Sequence, residues 1–314
     1  MSTAASNNLP TVGIVGAGLL GTGIAVQFAR RGYRTRVMDT DPAAPARVIA
    51  QAAAILDELA QWHVLGEQDR SNVETLLSIH ADLHSMAPCG LVIEAIPENL
   101  EMKHTLYAQL EPLLAPDAIL ASNTSGFPPD ELATALQRPE RFLITHFWNA
   151  PHTIPLVEVV GGIHTESAII AQVMAWLADI GNEPVLLDKA IPGFIGNRIQ
   201  YAVMREALHI VAQGAASPQA VDQVVRATLG RRYPYAGPFE VADAGGLPTF
   251  LAVSTHLFPA LADNADLSRL LALYSEKIEQ GHTGQRSGHG FYPWPEESLR
   301  DFAARRKQVL AKKP

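Results

Sequence analysis

The sequence predicts an α/β chain: a doubly wound, mainly parallel sheet domain followed by an all-helical C-terminal domain. Three observations carry this expectation. Short apolar runs alternate with stretches of helical composition from Thr11 to Leu187. The first run ends in a glycine-spaced turn, Gly16-Ala17-Gly18-Leu19-Leu20-Gly21, and a helical stretch follows at once. The alternation stops at Asp188-Lys189-Ala190-Ile191-Pro192-Gly193, and the pattern beyond is helical. Strands alternating with helices build a parallel sheet covered on both faces. The expected domains are residues 1–190 and 191–314.

Each element follows from its residues. Thr11-Val12-Gly13-Ile14-Val15 reads as a buried strand. Thr22 to Arg31 reads as a helix with Ile24, Phe28 and Ala29 toward a core, ended by Gly32. Arg34 to Met38 is a second strand with Asp39 at its end. This order is that of a Rossmann-type nucleotide-binding unit. Gly16 permits the tight turn, Gly18 lets the backbone approach a pyrophosphate, and Gly21 lets helix and strand pack closely. The helix start, with Leu19 and Leu20, offers free N–H groups to phosphates. Asp39, eighteen residues after Gly21, suits the two ribose hydroxyls of an adenosine and repels a 2′-phosphate. The expected cofactor is NAD, with Arg34 and Arg36 weakening the preference over NADP.

Ala44 to His63 and Glu67 to Leu77 read as helices separated by Gly66. The segment from Asp41 to Leu100 contains nine acids, no lysine and two arginines, Arg47 and Arg70. His80 and His84 are expected at the surface, with no metal. Leu91 to Ile96 is a buried strand, Pro97-Glu98-Asn99 a turn, and Glu101 to Leu114 a helix. Ligands of open parallel sheets bind at strand ends. Glu98, Asn99 and Lys103 are therefore expected at cofactor ribose or nicotinamide.

Three further apolar runs frame the candidate chemistry. Ala118 to Ala121 leads into the polar turn Ser122-Asn123-Thr124-Ser125-Gly126. Phe142 to Thr145 delivers His146, and Ile154 to Val160 carries Glu158. A glutamate inside an apolar run is costly to bury unpaired. A histidine is its natural partner, because a carboxylate orients imidazole and stabilises its protonated form. His146 and Glu158 are expected to pair on neighbouring strands. Glu166 to Asp179 reads as a helix and Pro184 to Leu187 as the last strand. Helices are expected at Phe194–Gln213, Pro218–Thr228, Phe239–Asp243, Thr249–Leu261 and Leu267–Gln280.

Composition excludes other classes. Of the 314 residues 47% are hydrophobic and 18% charged, an ordinary globular balance. A net charge of −8 argues against nucleic acid and against an anionic membrane surface. The single cysteine, Cys89, cannot form an internal disulfide. Met1 to Pro10 has neither a basic head nor an apolar core, and no apolar run approaches membrane-spanning length. The expected location is the cytoplasm.

The motifs together resemble the L-3-hydroxyacyl-CoA dehydrogenase family. They are GAGLLG with Asp39, EAIPENLEMK, ASNTS, RPERFLITHFWN, LVEVVGG with Thr165, PGFIGNRI, GPFEVAD and the terminal SGHGFY, in the family's order and spacing. The resemblance covers nearly the whole chain and implies a nucleotide-binding domain followed by a helical domain that makes a homodimer. It assigns His146 as catalytic base, Glu158 as its partner, Ser125 to the reacting oxygen and Asn197 to the substrate carbonyl. It assigns Glu98, Lys103 and Asn149, with Asn123 of the ASNTS turn, to the cofactor.

The chain also departs from the family pattern. Ala150 stands where proline is usual, and Ile154-Pro155 where a lysine is usual. The latter is similar to branches acting on free hydroxy acids, such as the gulonate, carnitine and pyridine-carboxylate dehydrogenases. The lysine-free stretch after Asp39 corresponds to the arm that meets the phosphorylated end of CoA in the thioester enzymes. A free acid would call for a cation, and Arg198, Arg231 and Arg232 are the candidates. Two alternatives fit the residues less well. A non-catalytic, crystallin-like NAD-binding protein is disfavoured by the intact Ser125, His146, Glu158 and Asn197 set. A lysine-dependent 3-hydroxy acid dehydrogenase is disfavoured because Phe194-Ile195-Gly196-Asn197-Arg198 has no lysine.

Overall fold

The computed structural model describes residues 9–234, 236–261, 272, 276–283, 287–290, 292–301 and 304. Part of the expected Leu267–Gln280 helix and part of the terminal SGHGFY segment lie outside these residues. The chain divides into two units, one running through Ile195 and the other starting at Gly196.

The first unit alternates strand and helix. In chain order it contains β1 (Val12–Val15), α1 (Leu19–Arg30), β2 (Thr35–Met38), α2 (Ala44–Gln61), α3 (Asp69–Leu76) and β3 (Leu77–His80). It continues with β4 (Leu91–Glu94), α4 (Leu100–Leu110), β5 (Ile119–Ser122), α5 (Pro129–Ala133), β6 (Phe142–Phe147), β7 (Leu156–Gly161), α6 (Ser167–Asp179) and β8 (Glu183–Leu187). The eight strands form one sheet in the order β3-β2-β1-β4-β5-β6-β7-β8. All neighbours are parallel except β6 and β7. The strand order reverses between β1 and β4, which is where such sheets open a crevice for ligand. Val12, Ile14, Leu91, Ile93, Ile119 and Leu143 are buried on one face of the sheet, packed with Ile24 and Phe28 of α1. Tyr107 and Leu110 of α4 cover the other face over Val15, Val92 and Leu120.

The arm differs from the sequence reading. The second arm helix ends at Leu76, and Leu77 starts the edge strand β3. Its four residues, Leu77-Ser78-Ile79-His80, alternate apolar and polar, but the run is only four long and continues from the helix without a turn residue. The antiparallel β6–β7 pair sets His146 directly opposite Glu158 in register.

The second unit is helical among its described residues: α7 (Gly196–Ala212), α8 (Pro218–Ala227), α9 (Leu229–Arg232), α10 (Pro238–Gly245) and α11 (Leu247–Leu257). Ser217 caps α8 by accepting from Ala220 N–H, with Pro218 at the first helical position. Arg231 and Arg232 sit on the one-turn helix α9. No described helix is long and apolar enough to cross a membrane.

Candidate active site

The first βαβ unit builds a cradle. Gly16 follows β1 at φ +108°, where a Cβ would lie 2.6 Å from the Ala95 carbonyl oxygen. A Cβ on Gly21 would lie 1.9 Å from the Gly16 carbonyl oxygen, so only glycine permits this approach of helix to strand. A Cβ on Gly18 would meet nothing within 4 Å, leaving the start of α1 open. No side chain caps α1, so its first N–H groups remain for an anion. A cleft of about 1200 Å³ opens here, walled by residues 16–21, Asp39, Arg47, Asp82, Pro97 and Asn149 among others. Asp39 Oδ2 accepts from the Ala17 N–H at 2.8 Å. The fixed carboxylate at the end of β2, the glycine cradle and the uncapped helix start fit NAD.

The cofactor-preference reading of Arg34 and Arg36 is corrected here. Neither lines the cleft, and Arg36 donates to the Ser85 carbonyl at 3.1 Å. Arg47 is the cation beside Asp39, 3.8 Å away. Its sequence position gave no sign of this, because Asp41 precedes the helix that carries Arg47 and helical spacing does not relate them.

At the ends of β4 and β5 lies a polar network. Glu98 Oε1 accepts from Thr124 Oγ1 at 2.5 Å, Ser125 N–H at 3.1 Å and Gly126 N–H at 3.2 Å. Ser125 Oγ lies 3.5 Å from the same oxygen. Glu98 therefore holds the turn that presents Ser125. Asn123 Oδ1 accepts from Phe147 N–H at 2.8 Å, tying the end of β5 to the end of β6. Lys103 is 1% exposed, its ammonium donates to Glu94 Oε1 at 2.6 Å, and Glu98 Oε2 lies 3.4 Å away. Glu94 is fully buried and also accepts from Ile96 N–H, Tyr107 hydroxyl and Ser122 hydroxyl. Burial is chief among the causes that raise the Tyr107 phenol well above its ordinary value, followed by the Glu94 charge. Glu98, Lys103 and Asn123 are grouped around the turn at the ends of β4 and β5, outside the residues that wall the cleft.

His146 and Glu158 come together. The Nδ1 of His146 lies 2.8 Å from Glu158 Oε2, with His146 6% exposed and Glu158 fully buried. Trp148 Nε1 also donates to Oε2 at 3.4 Å, and the Ile195 N–H donates to Oε1 at 2.8 Å. The carboxylate is thus held at both oxygens. The imidazole ring lies 6.0 Å from the Trp148 ring and 5.5 Å from the Phe194 ring. With a carboxylate on Nδ1, the proton sits there and Nε2 is left as an acceptor. A neutral imidazole so oriented can take a proton from a hydroxyl.

In the second unit, Asn197 is the second residue of α7 and half-buried, and Arg198 beside it is exposed. Arg231 is exposed and Arg232 half-buried on α9. Among the described residues no group of three His, Cys, Asp or Glu is placed to hold a metal ion.

The fold and the nucleotide cradle define a dinucleotide-dependent oxidoreductase. Comparison with known proteins narrows this. The 3-hydroxyacyl-CoA dehydrogenase NAD binding domain matches residues 11–191, and the C-terminal domain of the same enzymes matches residues 193–294. A 5-formyl-3-hydroxy-2-methylpyridine 4-carboxylate 5-dehydrogenase of Mesorhizobium japonicum is 31% identical over 95% of each chain. A probable 3-hydroxybutyryl-CoA dehydrogenase of Deinococcus radiodurans is 35% identical over 90% of this chain and 99% of its own. A crystal structure of an NAD⁺-dependent 5-formyl-3-hydroxy-2-methylpyridine 4-carboxylic acid 5-dehydrogenase aligns with a TM-score of 0.85. It is 31% identical and covers 97% of both chains. The chain belongs to the 3-hydroxyacyl-CoA dehydrogenase family and is an NAD-dependent oxidoreductase acting on a CH–OH group.

Proposed function

We propose that the chain interconverts an L-3-hydroxyacyl group and its 3-keto form, with His146 as acid and base. The observation that carries this is the buried His146–Glu158 pair, with Glu158 Oε2 2.8 Å from Nδ1. In oxidation, His146 Nε2 takes the hydroxyl proton as the carbon becomes trigonal. Bound NAD supplies the hydride acceptor. Glu158 stabilises the imidazolium, and its second oxygen, held by Ile195 N–H, keeps it from turning away. In reduction the imidazolium returns the proton. Ser125, on the turn gathered by Glu98, is assigned to the reacting oxygen, and Asn197 to the substrate carbonyl. Gly16, Gly18, Leu19, Leu20, Gly21, Asp39 and Asn149 are assigned to NAD, with Glu98, Lys103 and Asn123 supporting them.

The division of labour follows the chain: residues 1–190 bind NAD, and residues 191–314 carry substrate and dimer contacts. The apolar residues Leu251, Val253, Leu257 and Phe258 of the second unit are 70, 56, 49 and 66% exposed, a surface that a homodimer would cover. A cytoplasmic location fits a metabolic enzyme with one free cysteine.

A second reading, a free hydroxy acid as substrate, is favoured by one observation. Both arginines of the 41–100 segment are already ion-paired: Arg47 with Asp41 at 2.6 Å, and Arg70 with Asp57 at 2.7 Å. Neither stands free for the phosphates of a CoA carrier, and a carboxylate could instead meet Arg231 or Arg232. The test compares the specificity constant for 3-hydroxybutyryl-CoA with those for its pantetheine thioester and its free acid. A loss of about a hundredfold on trimming the nucleotide end would mean that CoA is recognised. Equal constants, or a preference for the acid, would favour the second reading.

A further inference from the structure

The end of the cleft beside Asp39 holds a charged triplet that a glycine-spaced turn and a terminal acid do not by themselves imply. Asp39 Oδ2 accepts from Ala17 N–H, and its Oδ1 from Asp41 N–H at 2.9 Å. Two backbone donors thus fix this carboxylate. Arg47 reaches the same place from α2. Its Nε donates to the Ala17 carbonyl at 3.2 Å, and its Nη1 to Asp41 Oδ2 at 2.6 Å. Its Nη2 lies 3.8 Å from Asp39 Oδ2. Asp41 Oδ1 accepts in turn from Ala43 N–H at 2.9 Å. Asp39, Arg47 and Asp82 all line the cleft.

An arginine near the end of the second strand is what a 2′-phosphate requires, and an acid there is what a free 2′-hydroxyl requires. This chain has both. The arginine is held, however, on two sides of its fork, and the remaining side faces Asp39. Asp39, Asp41 and Arg47 together carry one net negative charge, and Asp82 adds another. The hydrogen bond from Arg47 is also the main reason the Asp41 carboxyl is held below its ordinary value.

We infer that Asp41 is a specificity-determining residue for the cofactor: by clamping Arg47 it withholds the guanidinium from a 2′-phosphate. NAD preference then rests on the Asp41–Arg47 clamp as well as on Asp39. The inference rests on the assignment of Asp39 to the adenosine ribose. It needs nothing from His146, Glu158 or the identity of the substrate.

The test is fluorescence titration with NADH and NADPH, which requires no turnover. Asp41→Asn suits it, because asparagine keeps an Oδ1 acceptor for Ala43 N–H and puts an NH₂ group in place of the charged acceptor that holds Arg47. The ratio of the two affinities in one preparation is independent of the fraction of active protein. In D41N the NADPH-to-NADH ratio should move toward NADPH by on the order of tenfold. Adding Arg47→Gln should return the ratio to the wild-type value or below. A D41N ratio equal to wild type, or a gain that survives in D41N/R47Q, would overturn the inference. Equal affinities of the wild-type protein for NADH and NADPH would remove the Asp39 assignment, and the inference with it.

Discussion

Replacing Glu158 with glutamine changes one oxygen of a fully buried side chain into an NH₂ group. The consequences can be worked from its partners. Glu158 accepts from Ile195 N–H on Oε1 and faces His146 Nδ1 and Trp148 Nε1 on Oε2. The amide has two orientations. If its oxygen keeps Ile195, its NH₂ faces Nδ1, and the imidazole must carry its proton on Nε2. A histidine in that tautomer cannot accept a hydroxyl proton there. If the oxygen keeps His146, the NH₂ faces the Ile195 N–H, and two buried donors meet at a cost of about 1–3 kcal/mol. Neither orientation preserves both the fold of the site and its base. Turnover should fall by on the order of 10²–10⁴-fold, the usual worth of an oriented general base. His146→Gln should lose at least about a hundredfold by direct removal of the base. The assay pairs steady-state NADH formation with NADH titration, and affinity for NADH should be nearly unchanged in both variants. Near-wild-type turnover in purified Glu158→Gln would refute the tautomer reasoning.

The other predictions concern the frame of the site. Gly21→Ala forces a methyl group against the Gly16 carbonyl, where a Cβ would stand at 1.9 Å. It should cost about 1–3 kcal/mol in denaturant unfolding and abolish measurable NADH binding. Lys103→Met leaves the buried Glu94 charge without its cation and should cost about 3–5 kcal/mol, partly recovered in Glu94→Gln/Lys103→Met. Cys89 is 1% exposed, and burial raises its thiol to about 11, against a smaller lowering by Arg36. It should resist alkylation in the folded protein at neutral pH and react on unfolding. Since the folded value is raised and the protonated form is neutral, its stabilising contribution is complete below the unfolded thiol's value. It is lost as pH rises through about 11. Sedimentation at micromolar concentration should give the mass of two chains, and a one-chain mass would exclude the homodimer.

What could be read from the sequence was what short-range rules govern. The strand, glycine turn, helix, strand and terminal acid from Val12 to Asp39 follow a local spacing, and the structure forms them there. Glu158 drew attention because a charge inside Leu156–Val160 needs a partner, and His146 lies directly across the β6–β7 ladder. Less was legible where a side chain's fate depends on distant partners. Lys103 follows the Asn99 helix cap and is expected from its place at a strand end to face the cofactor. Its burial is decided by Glu94 on β4 and by Tyr107 one turn further along α4. Arg47 reads as one of two cations in an acidic arm, and only the folded chain brings it to Ala17 and Asp41. The edge strand β3 escaped because it follows α3 without a turn residue and is only four residues long.

In the proposed reaction a buried imidazole, oriented by Glu158, exchanges the hydroxyl proton of a 3-hydroxyacyl group while NAD is reduced. The most direct measurement is NADH formation from a panel that pairs short 3-hydroxyacyl-CoA thioesters with their free acids, run for wild type and His146→Gln at matched cofactor saturation. The wild type should form NADH steadily with at least one member, and His146→Gln should lose turnover by about a hundredfold or more with NADH binding retained. No turnover on any member, or a His146→Gln variant that turns over like the wild type, would contradict the proposed reaction.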